Sequence, residues 1–118
     1  MFSEVTNNAD LFSQNLPEMK TLRLLYNNAK LLFKLPENRL IIYTEEGGRT
    51  YQIKILSPDI KKYELGVIEY DPLSKMLSVS TGDFEIAWKG RKLVNKGYSK
   101  FLDLIGFETL FSKLIQSI

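Results

Sequence analysis

Cysteine and histidine are both missing from this chain of 118 residues. Their absence excludes thiol nucleophiles, disulfides, thiolate zinc sites, imidazole general bases and histidine metal ligands. Carboxylate, lysine, tyrosine, serine and threonine are left for chemistry, with carboxylates as the charged metal ligands. Proline and glycine are sparse, at 4 and 7, and hydrophobic residues make up 44% against 25% charged, which argues against disorder and low complexity. No stretch of about 18 consecutive apolar residues occurs. The opening segment MFSEVTNNAD lacks both a basic and an apolar region of the secretory kind, so a cytoplasmic location is expected.

What is present fits one packed domain of ordinary size. Sixteen basic and 14 acidic side chains leave a net charge of +2, mild beside the basic excess of a dedicated nucleic-acid binder. Seven of each lie in residues 1–59, and nine basic against seven acidic lie in 60–118, so the excess belongs to the C-terminal half.

Residues 1–15 read as an arm or short helix, and 16–118 as a single α+β domain. In NLPEMKTLRLLYNN, Asn15 or Leu16 can cap a helix, Pro17 suits its first turn and Glu18 its positive end. Met19, Leu22, Leu25 and Tyr26 then share a face, and Asn27 and Asn28 can end the helix. A hairpin at 21–35 is the alternative. It would give seven strands and a C-terminal helix, the outline of a pleckstrin-homology-like barrel, without a motif that makes a family resemblance.

From Lys30 onward, period-two segments alternate with turn residues, the pattern of an antiparallel meander of about six strands forming a curled sheet or partial barrel. KLLFKL at 30–35 is read as its first strand, RLIIYTE at 39–45 as a central strand covered on both faces. TYQIKIL, ELGVIEY, MLSVS and FEIAWK follow. Between them stand a glycine hairpin at 46–48 and the Asp-Pro turn at 71–75. Trp88 alternates with Phe84 and Ile86 and is read as core. Residues 98–118 change to helical period and predict a long C-terminal helix, interrupted at Gly106.

Two surfaces carry the functional expectations. The C-terminal helix has a wide apolar face, so Phe107, Leu110, Phe111 and Leu114 are candidate anchors for a protein partner or a homodimer, unless sheet and N-terminal helix cover them within one monomer. The second surface is WKGRKLVNKGYSK, where Lys89, Arg91, Lys92, Lys96 and Lys100 occur with no acid among them. With Tyr98 these could meet single-stranded nucleic acid or another polyanion, and Tyr43, Tyr51, Tyr63 and Tyr70 could add a stacking sheet face. A solvated connector is the plain alternative.

Enzymatic patterns are weak. Pro58 and Asp59 could start a nuclease motif, but no acid stands two residues before a lysine downstream. Glu69 with Asp71, and Asp83 with Glu85, have the spacing to share a strand face, yet sit beside turns where acids serve structure. No Walker or dinucleotide glycine pattern is present. The sequence therefore points first to a non-catalytic interaction module, an accessory subunit or homo-oligomer, and second to a nucleic-acid or polyanion binder. Neither a cofactor nor a membrane partner is expected.

Overall fold

The computed structural model describes residues 1–81, 85–90 and 92–96. Their order is β1 (Phe2–Glu4), α1 (Asn8–Phe12), α2 (Pro17–Phe33), a single 3-10 turn (Glu37–Arg39), then β2 (Leu40–Glu45), β3 (Tyr51–Leu56), β4 (Glu64–Asp71), β5 (Met76–Thr81), β6 (Glu85–Lys89) and β7 (Lys92–Lys96). All seven strands form one antiparallel sheet in chain order, β1 through β7.

The expected architecture is corrected by this. The described chain is mostly a seven-stranded antiparallel sheet, with both helices N-terminal to β2. The long C-terminal helix assigned to 98–118 lies outside the described residues and is no part of the fold established here. KLLFKL is no strand: α2 continues through Phe33 and ends at Lys34, whose φ of 53° is left-handed. Nor do Asn27 and Asn28 end a helix or turn a hairpin, because both lie inside it. The helical stripe simply runs on, with Met19, Leu22, Leu25, Tyr26 and then Ala29 all buried. At the other end, Leu16 is the N-cap and Pro17 the first helical residue, as the sequence indicates.

Two strands escaped the sequence pattern. β1 lies in the supposed arm and pairs Phe2 with Glu45 and Glu4 with Tyr43. It is extended by the Val5 amide donating to the Ile42 carbonyl at 2.8 Å. β7 lies within the basic stretch and pairs with β6. Consequently β2 is next to an edge and alternates between buried and half-buried residues, instead of being covered on both faces.

Register assigns the faces. Leu40, Ile42, Ile53, Ile55, Ile68, Leu77, Val79, Ile86 and Trp88 occupy the inner face, which forms one core with the α2 stripe and Leu11. Each such aliphatic residue stabilises the fold by about 1.5–3 kcal/mol relative to leaving it in water. The α1–α2 corner is closed by aromatic contacts: Phe12 meets Tyr26 edge to face at 5.8 Å, and Arg23 lies 5.4 Å over the Phe12 ring.

Candidate functional site

Strand direction decides which loops meet. β3, β5 and β7 run one way and β2, β4 and β6 the other, so the turns after β2, β4 and β6 share one end of the sheet. At this end the Asp71 carboxylate accepts the Leu73 amide at 2.9 Å, closing the turn that the Asp-Pro sequence encodes. The hydrogen bond from that amide holds the Asp71 pKa below its ordinary value. Lys75 then takes a left-handed φ of 58°, and its carbonyl accepts the Gly90 amide at 2.9 Å, tying the β4–β5 and β6–β7 turns together. Gly90 itself has φ of 62°, which glycine adopts without strain.

Across this corner the register aligns Asp71, Met76, Lys89 and Lys92 in one row. Lys89 and Lys92 are therefore directly opposite each other, both exposed, with exposed Lys75 beside Met76. Among the described residues, none of these three ammonium groups is in an ion pair. Like charges facing across a strand pair destabilise it by up to about 1 kcal/mol. A bound anion would relieve that repulsion.

Of the residues the sequence nominates, Lys89 and Lys92 thus come together, while Lys96 closes β7 at its far end, opposite Ile86 in register. Arg91, Tyr98 and Lys100 lie outside the described residues, as do Phe107, Leu110, Phe111 and Leu114. Lys75 was missed by sequence reasoning. It belongs to the separate 71–75 turn, and only its placement next to β6 brings it to Lys89; the paired turns on either side of a three-strand meander are the signal that could have found it.

The tyrosines do not assemble on one surface. Tyr51 and Tyr70 face each other on the inner side, beneath the first turn of α2, whereas Tyr43 is on the outer side and Tyr63 in the β3–β4 loop. Burial raises the Tyr51 pKa, and the Glu18 carboxylate beside it acts in the same direction. Tyr70 is likewise raised by burial, with the Thr21 hydroxyl opposing. On the outer side Lys54 sits 4.6 Å over the Tyr43 ring and 3.7 Å from Glu64, so its charge is already answered within the sheet.

In the first acid pair, Glu69 accepts from Gln52 Nε2 at 3.4 Å and Asp71 closes its turn; Asp83 of the second pair lies outside the described residues. An open cleft of about 470 Å³ between the β1–α1 arm and the β2–β3 hairpin brings Asp10, Glu45 and Arg49 near Tyr51. Among the described residues, no group of three or more acids is arranged to hold a metal ion.

Fold and site together describe a helix-backed, seven-stranded antiparallel meander with a lysine-rich corner where two of its turns are joined. No protein-family model, no curated protein and no solved structure matches the chain.

Proposed function

We propose that the protein is a non-catalytic interaction module whose corner of Lys75, Lys89 and Lys92 receives a polyanion, with single-stranded nucleic acid as the class to test first. The observation that carries this reading is the in-register opposition of Lys89 and Lys92, exposed and without ion pairs among the described residues. A phosphate seated between two such strands meets both ammonium groups at once and releases counterions as it binds. Arg91 stands between the two lysines in the sequence and is a third positive charge in the short segment 89–92.

Fluorescence anisotropy of a labelled mixed-sequence single-stranded oligonucleotide tests it. Three phosphate contacts correspond to a slope of about −2 in log affinity against log salt, from about −0.7 per contact. The double substitution Lys89→Glu and Lys92→Glu is expected to abolish binding, while affinity indifferent to salt removes the reading. The same preparation in light scattering addresses the protein-partner side of the module. A salt-independent dimer would support self-association through Phe107, Leu110, Phe111 and Leu114; a monomer would leave that role to a different protein.

A further inference from the structure

The opposite end of the sheet carries the β3–β4 loop, residues 57–63, and that loop is braced. Ser57 is fully buried, and its amide donates to the Tyr63 carbonyl at 2.8 Å. Its hydroxyl donates to the Lys61 carbonyl at 3.1 Å and accepts the Tyr63 amide at 3.3 Å. From the turn before β2, Arg39 Nη2 donates to the carbonyls of Pro58 and Asp59 at 3.2 and 3.4 Å. Much of the entropy of ordering this loop is therefore lost on folding and need not be lost again on binding.

The bracing holds up an apolar tip. Ile60 is 100% exposed, and it is followed by exposed Lys61 and Lys62 and by Tyr63 at 56%. The last turn of α2 comes to this same end, since its chain passes through Arg39 into the start of β2. There Leu31 is 73% exposed and Lys34 is exposed. Among the described residues, Lys34, Lys61 and Lys62 are in no ion pair, whereas Glu64 is taken up by Lys54. Asp59 is the acid of the loop itself.

We propose that this end of the molecule docks on an anionic lipid surface. Ile60 and Leu31 enter the boundary between headgroups and acyl chains, Lys34, Lys61 and Lys62 lie among anionic headgroups, and Tyr63 sits at interfacial depth. The arrangement suits lipid better than protein. Its apolar groups are separate projections that a fluid surface can close around, and cations flank them, whereas the centre of a protein interface is depleted in lysine. Docking of this kind is peripheral, and no helix among the described residues is long and apolar enough to cross a membrane. The sequence leads to no expectation of a membrane partner, and peripheral docking at this end departs from that expectation because only the tertiary structure brings the end of α2 and the 57–63 loop to one end of the sheet. The inference is also independent of the polyanion corner, which lies at the other end of the sheet.

Co-sedimentation of the full chain with vesicles of phosphatidylcholine alone, or with phosphatidylserine as about a third of the lipid, tests the proposal. Partitioning is expected on the anionic vesicles only. Ile60→Ser should weaken it about tenfold, and Lys61→Ala with Lys62→Ala about thirtyfold. Both variants change exposed side chains and should keep the parent's thermal midpoint. Lys20→Glu, an exposed charge near the start of α2, should sediment like the parent. Absence of binding to anionic vesicles overturns the proposal and leaves the tip to a protein partner. Binding that survives Ile60→Ser, or that is lost with Lys20→Glu, overturns it by moving the contact elsewhere.

Discussion

Two connections of the same meander, 71–75 and 57–63, each lift an apolar side chain into water, and they are held by different means. The first is closed by its own atoms: Asp71 caps the amide of Leu73 two residues away, and Leu73 is 78% exposed at its tip. The second is closed by its own buried Ser57 and, in addition, by a distant residue, Arg39, reaching in from the turn before β2. A locally closed turn keeps its shape whenever its strands exist. A loop clamped through the tertiary structure exists only in the folded molecule, and its geometry can be changed from residues far away in sequence.

That difference can be broken at several levels. The largest effect is expected from Ile53→Ala, buried mid-strand on the inner face between Ile42 and Ile68, where an uncollapsed cavity costs about 2–5 kcal/mol; a denaturant melt should show one transition shifted as a whole. Ser57→Ala should cost about 1–3 kcal/mol, because it leaves the Lys61 carbonyl and Tyr63 amide without their partner. Hydrogen exchange should then accelerate at 57–63 while residues 71–75 keep their protection.

Asp71→Ala should cost less, below about 1 kcal/mol for an exposed bond, and should loosen only its own turn. This contribution carries a pH signature. Because the Asp71 pKa is lowered on folding, its stabilisation is present above the ordinary carboxylate range and is lost as pH falls through the lowered value. Melts across acid pH should show that component in the parent and lack it in the variant.

The inner face responds at the opposite extreme. Tyr51 and Tyr70 have raised pKa values, so the unfolded chain releases their protons first as pH climbs through 10, and stability declines from there. Replacing both by Phe should flatten this alkaline decline with little change at neutral pH, a result that would separate titration of these two tyrosines from general alkaline unfolding.

Much of the meander was readable because its signals are local. Strict alternation marked β3, Asp71 with Pro72 marked a turn, Gly47 supplied the positive φ of 75° at the β2–β3 hairpin, and Trp88 took the core position its alternation implied. KLLFKL misled because a short apolar run satisfies both periods. Ala29 was the overlooked clue, since it extends the stripe of Leu22, Leu25 and Tyr26 by another helical step and is fully buried. β1 has only three residues, and its identity comes from pairing with residues 43–45. β7 was hidden by its charge, as a lysine-rich segment reads as solvated loop until a neighbouring strand supplies its register.

For the candidate site, the sequence showed a concentration of lysines but not which of them meet. Lys89 and Lys92 became opposed through the tight β6–β7 connection, Lys75 joined them through the bond from Gly90, and the tyrosines were divided between the two faces. The same holds for the braced loop, whose clamp comes from Arg39.

By itself, the sequence determined that the chain has no thiol or imidazole chemistry, where most of the described strands lie, and which turns close on their own atoms. Composition and patterning act within a few residues, through side-chain period, backbone preference and local hydrogen bonds. Tertiary structure alone decided that the described residues form seven strands of one sheet, that α2 runs on to Phe33, and which charges and apolar tips share an end. Those outcomes depend on pairing between segments remote in the chain, where the gain from burial and cross-strand bonds outweighs the ambiguity of each segment taken alone.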